Sequence, residues 1–221
     1  MKTGCSLIVL FAASCCAATR LVCPQDPITY KKWVDHGEPY SLAACAGSDP
    51  KEHFEEMKID LEMATIDIIK LKLLGAVAKA ALEAGLNDEA ELYADQALAL
   101  AAEGRFSKAP PVTFESDAEG EAVFLGNLVL GRLALLRDDV QAAETYLLLS
   151  GKIKAGSQTF WGPNMTLARE LLKRNRTKVV LEFLEEVKEF WLEECAFGKP
   201  EEWEKAIRAG KMPTDLILTY Y

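Results

Sequence analysis

The stretch Leu74–Leu98, LGAVAKAALEAGLNDEAELYADQAL, can be laid over Asn127–Gly151, NLVLGRLALLRDDVQAAETYLLLSG. Each opens as a helix-like run with a small residue, Ala78 or Gly131, where two helices must approach closely. A polar break follows, Gly85-Leu-Asn-Asp in one and Arg137-Asp-Asp in the other. A second run then brings Ala90 or Ala143 to the same slot. A weaker third copy spans Asn164–Lys188, with Ala168 and Val180 in these positions. Small residues at crossings and large apolar ones between them are what stacked helical hairpins require. The pattern predicts an all-α scaffold.

The chain around these copies fits that reading. Residues 19–50 hold Pro24, Pro27, Gly37, Pro39, Gly47 and Pro50, which leave room only for short helices. Ser48-Asp-Pro-Lys-Glu reads as a helix start, with Pro50 near the first helical position. From there to Ala84 only Gly75 offers a break, so one long helix or two would fit. Residues 104–118 form the longest interruption, with Pro110-Pro111 forbidding regular helix and return expected near Ala118. Pro163 is expected to start the third hairpin, Asn175 to break it, and its second helix to run to about Glu194. Glu201–Ala209 reads as a short helix covering the last hairpin. The expected organisation is a signal peptide over 1–18, a loop-rich segment over 19–50, a helical repeat domain over 51–210 and a tail over 211–221.

The repeats resemble tetratricopeptide repeats, whose consensus wants a small residue at position eight, Ala at twenty, a large one at twenty-four and a small one at twenty-seven. Copy one has Ala78, Ala90, Ala94 and Ala97; copy two has Gly131, Ala143, Leu147 and Ser150; copy three has Ala168, Val180, Leu184 and Val187. The consensus Trp at position four is replaced by Leu74, Asn127 and Asn164, and the Pro that closes a repeat is missing. The position-eight residues lie 53 and then 37 apart, against a family period of about 34. The resemblance covers roughly residues 70–190 and implies an α-α superhelix of about three irregular hairpins, stacked right-handedly. The segments GNLVLGRLAL and GPNMTLARELL also resemble uncharacterised bacterial secreted repeat proteins, which adds no function. In the tetratricopeptide family the first helix of each pair lines the concave face and position nine points into it. The resemblance therefore places Lys79, Arg132 and Arg169 there, with Lys72 and Lys173 on the same surface. A basic stripe of this kind would select an anionic protein or peptide segment.

Half of the residues are apolar, 27% are charged and the net charge is −9. That balance excludes nucleic acid and anionic membrane as principal partners, since both demand a dominant basic surface. Lys2, the apolar Ser6–Ala13 and the exit Cys16-Ala-Ala18 form a signal-peptide pattern. It predicts a secreted, periplasmic or envelope location, with membrane attachment only through acylation at Cys15 or Cys16. Removing residues 1–18 leaves Cys23, Cys45 and Cys195, of which Cys23 and Cys45 can pair in an oxidising compartment.

Chemistry-bearing constellations are sparse. His36 and His53 are the only histidines, and His53 with Glu56 lacks the third ligand of a metal site. No nucleotide-binding, nucleophile-elbow or zinc-protease motif occurs. The acidic doublets such as Glu185-Glu186 point about 100° apart on a helix and read as solvated faces. Asn164-Met-Thr and Asn175-Arg-Thr match the glycosylation pattern by chance. The expectation is a non-enzymatic binding scaffold with no cofactor and no metal. The alternative is an assembly subunit docking through its aromatic C-terminal end, where Phe160, Trp161, Phe183, Phe190, Trp191, Phe197 and Trp203 gather; a third reading, an enzyme using Glu, Cys or His, has no supporting arrangement. The sequence leaves the oligomeric state open.

Overall fold

A computed structural model describes residues 49–106, 114–154, 162–196 and 198–213. The signal segment, Cys15, Cys16, His36, the Cys23–Cys45 pairing and the tail from 214 lie outside the described residues, as do Phe160, Trp161 and Phe197. The described chain is all-α, with no strand among its residues. Its helices are α1 Pro50–Met63, α2 Asp67–Glu83, α3 Asn87–Ala102, α4 Phe114–Leu136, α5 Val140–Ser150, α6 Thr166–Lys173, α7 Thr177–Phe190, α8 Glu193–Ala196 and α9 Lys199–Arg208. No helix among the described residues is long and apolar enough to cross a membrane.

The helices pair into hairpins α2/α3, α4/α5 and α6/α7, and neighbouring hairpins pack on one another in chain order. Burial follows the repeat register read from the sequence. Ala78, Gly131 and Ala168 are buried, as are Ala90, Ala143 and Val180. The later slots, Ala94, Leu147 and Leu184, then Ala97, Ser150 and Val187, are buried too. Gly131 shows why the first slot must be small: an added Cβ would collide with Leu167 Cδ2 from α6 and sit 3.2 Å from Tyr146 Cβ of α5.

The turns repeat as well. Gly85, Asp138 and Asn175 all have positive φ, at 75°, 61° and 61°. In each turn the next residue's N–H reaches back five residues, from Leu86 to the Ala81 carbonyl (2.9 Å), Asp139 to Ala134 (2.9 Å) and Arg176 to Leu171 (3.0 Å). This left-handed closure satisfies carbonyls that a helix end leaves open, and Gly, Asp and Asn tolerate it best. The same closure recurs after α9, where Gly210 has φ 71° and Lys211 donates to Ala206 at 2.9 Å.

Ion pairs tie each hairpin to the next. Arg137 after α4 reaches back to Glu91 of α3, through two hydrogen bonds of 2.6 and 2.5 Å. One repeat on, Arg176 reaches back to Glu144 of α5, which stands in the slot of Glu91. The hydrogen bonds from Arg137 hold the Glu91 carboxyl below its ordinary range despite partial desolvation. At the other end Lys188 of α7 and Arg208 hold Glu204 of α9 low in the same way.

Several boundaries differ from the sequence expectation. The break between α1 and α2 falls at Ala64–Ile66, both extended, and Gly75 lies buried inside α2. There its missing Cβ admits Leu125, whose Cβ would be 3.1 Å away. Helix α4 starts at Phe114. Helix α6 starts at Thr166, whose N–H is accepted by the Asn164 side chain at 3.0 Å, so Asn164 rather than Pro163 sets the start. Helix α7 stops at Phe190 because Trp191 turns extended and stacks on Trp203, centroids 5.8 Å apart. Asp49 caps α1, accepting from Lys51 N at 2.9 Å, with Pro50 opening the helix.

Phe183, Phe190, Trp191 and Trp203 are buried in the core between the last hairpin and α9. The outer side of α9 carries exposed Glu201, Glu202, Lys205 and Arg208, so it closes the stack with a charged face. These four aromatics form no exposed docking edge.

Two outcomes follow from this packing. Gly131→Ala gains helix propensity of about 1 kcal/mol, but overpacking a closed crossing costs about 1–3 kcal/mol. Chemical denaturation should therefore show a net loss for Gly131→Ala, and a larger one for Gly131→Leu. For Glu91 and Glu204 the folded carboxyl is depressed, so their stabilisation is present above the ordinary carboxylate range. It is lost as pH falls through the lowered folded values. Thermal melts between pH 7 and 3 should show a flatter acid-side decline for the Glu91→Gln, Glu204→Gln double variant. Because these pairs are exposed, the change in Tm at neutral pH should not exceed about 3 °C.

Candidate functional site

Along its central turns helix α4 has no solvent side: every residue from Phe124 to Gly131 is buried. Between Phe124 and Leu135 only Arg132 reaches partial exposure. A charged group leaving so apolar a helix must find water or an acid, because burial without a partner is costly. Its side chain emerges into a groove of about 570 Å3 at the C-terminal ends of α2, α4 and α6. Leu82 and Gly85 line one wall, Leu135 and Leu136 the middle, and Glu170, Lys173 and Arg174 the other wall.

Arg132 faces Glu170 of the next hairpin, with Nε 3.2 Å from Oε1 and 3.3 Å from Oε2, and Nη2 3.1 Å from Oε1. Both side chains are about a third exposed, at 30% and 32%. Lys173 is exposed and makes no ion pair with any described residue. Arg174 is held by the fold itself. It donates to Asp138 Oδ1 at 2.7 Å and to the Leu135 carbonyl at 3.1 Å, sealing the open end of α4 from the neighbouring hairpin. Leu136 is 67% exposed, an unusually open leucine beside three cations.

The five residues expected to form a basic stripe are therefore divided. Arg132 and Lys173 share the groove. Lys79 is bridged to Glu83 one turn on (2.7 Å) and its side chain is only 13% exposed. Lys72 is bridged to Asp117 at 2.5 Å, toward the other end of α2. Arg169 is half-buried, without an ion pair to a described residue, and does not line the groove. The expected open row of cations is corrected to a row in which Lys72, Lys79 and Arg132 each meet an acid of the chain. The physical reason is composition: 34 acids against 25 cations leave an acid within reach of most basic side chains. Sequence reasoning missed Glu170, Arg174 and Leu136. Glu170 and Arg174 directly follow Arg169 and Lys173, and Leu136 stands in the repeat slot of Lys173, 37 residues earlier.

Elsewhere, a hollow of about 450 Å3 between α5 and α7 is mainly polar and encloses the Glu144–Arg176 pair. Burial pushes the Glu119 carboxyl of α4 above its ordinary range, and its Oε1 is buried without a hydrogen-bond partner. Among the described residues no group of three or more His, Cys, Asp or Glu could hold a metal ion. Comparison with protein-family models, with curated proteins and with solved structures found no match.

The two neighbouring cations of α6 and its exit should separate cleanly. Arg174→Ala should lower stability by about 1 kcal/mol through the lost bond to the Leu135 carbonyl. Lys173→Ala should stay within about 0.5 kcal/mol of the parent. Urea titrations of the two variants check this.

Proposed function

We propose that this chain is a non-enzymatic scaffold of tetratricopeptide-like hairpins stacked as an α-α superhelix. Its groove binds an acidic stretch of a protein or peptide. The observation that carries this reading is the lining: Arg132 and Lys173 converge with an exposed Leu136 in a groove at one edge of the stack. Arg presents a planar fork suited to a carboxylate, and Lys173 adds a point charge beside it. Leu136 and part of Leu82 offer apolar contact to a neighbouring side chain of the ligand. The preferred ligand is thus an extended segment in which acidic and apolar residues alternate. The signal-peptide pattern of residues 1–18 favours action outside the cytoplasm, in the envelope or secreted.

The test is a binding titration with a fluorescent peptide of alternating leucine and glutamate, beside its leucine–glutamine counterpart. The glutamate peptide should bind preferentially, more weakly as salt rises. Arg132→Glu combined with Lys173→Glu should weaken it by about tenfold or more. Equal binding of the two peptides, or no effect of the double variant, would refute the groove.

A further inference from the structure

The same groove contains an acid that a carboxylate-binding site does not need. Glu170 stands on α6 in the turn before Lys173, and it occupies the Nε/Nη2 edge of Arg132. That edge is where a ligand carboxylate would form its two-pronged contact.

We propose that Glu170 is a built-in competitor: it holds Arg132 while the groove is empty and is displaced by the carboxylate of an acidic ligand. The inference rests on the groove reading above and adds what regulates its affinity.

Three observations support displacement. Charge-assisted N–H···O contacts usually measure about 2.7–2.9 Å. The Arg132–Glu170 contacts are longer, at 3.1–3.3 Å. The contacts of Arg105 with Glu103, Arg174 with Asp138 and Arg208 with Glu204 are shorter, at 2.7 Å each. Second, both partners open to water, so Glu170 can leave without stranding a buried charge. Third, Lys173 lies three residues along the same helix face and has no ion pair among the described residues. Residues three apart on a helix are neighbours, so the released Glu170 carboxylate stays near a cation, which it shares with the ligand. A ligand then exchanges one carboxylate for another on Arg132 and gains the apolar contact with Leu136. The competitor therefore rejects anions that carry no apolar neighbour: a bare carboxylate would only replace what is already there.

Competition and mere orientation of Arg132 by Glu170 make opposite predictions. With the leucine–glutamate peptide as probe, Glu170→Gln and Glu170→Ala should each bind about tenfold tighter than the parent chain. Arg132→Gln should bind weakly, and Glu170→Gln should not rescue it. Circular dichroism melts confirm that each variant is folded. If Glu170→Gln binds as weakly as Arg132→Gln while the parent binds, Glu170 orients the guanidinium and the competitor is refuted, though the groove survives. If neither the parent nor either Glu170 variant binds, the groove reading falls and the competitor with it.

Discussion

The structure hangs on a helix that has no solvent side along its central turns. From Phe124 to Gly131 every residue of α4 is buried, and α4 contributes to each of the three hydrophobic clusters. A helix that is apolar all round is stable in water only when wrapped by others. The hairpins are therefore not independent units that happen to touch. Helices α2 and α3 cover α4 from one side, and α5 and α6 from the other. Two glycines of α4 fall where neighbours come closest: a Cβ on Gly126 would lie 2.9 Å from Leu98 Cγ, and one on Gly131 would collide with Leu167. Even its buried amide obeys this, for Asn127 donates its side-chain N–H to the Val123 carbonyl at 2.8 Å, within its own helix.

Strength and register come from different interactions. Apolar burial, at about 25 cal/mol per Å2, dominates the cohesion of the stack, but it is non-directional and tolerates sliding. The repeated closures at Gly85, Asp138 and Asn175 fix where each hairpin folds back. The pairs Arg137–Glu91 and Arg176–Glu144 then fix where each hairpin sits on the one before. Exposed pairs contribute little free energy, yet two whose acids, Glu91 and Glu144, stand in the same repeat slot favour one alignment over its neighbours.

The repeat was legible in the sequence because its signals are local or periodic. Small residues at Ala78, Gly131 and Ala168 mark crossings, and Asp138 and Asn175 stand where a left-handed turn is tolerated. Gly75 misled, since a helical glycine marks a close approach as readily as a break, and only the partner Leu125 decides which. The end of α7 was not legible for a related reason: Trp191 leaves the helix to meet Trp203, a contact made across the chain. The site was half legible. The tetratricopeptide resemblance implied that Arg132 and Lys173 share one surface, and both line the groove. It could not show that Glu83 and Asp117 neutralise Lys79 and Lys72, because a salt bridge depends on rotamers and neighbouring helices rather than on spacing.

An acidic protein with a basic groove cannot rely on its overall field to collect acidic ligands. At physiological ionic strength charges are screened over about 8 Å, so the net charge of −9 acts on such a ligand only weakly from beyond that distance. In the proposed reading, recognition falls to groups within contact distance: the guanidinium of Arg132, the ammonium of Lys173 and the side chain of Leu136. In that setting an internal acid on Arg132 matters more than any distant one. It keeps a cation rising from an apolar stretch of helix partnered, and in the proposed reading it sets the threshold a ligand must exceed. The desolvation demand of α4 and the proposed selectivity of the groove thus trace to the same residue pair.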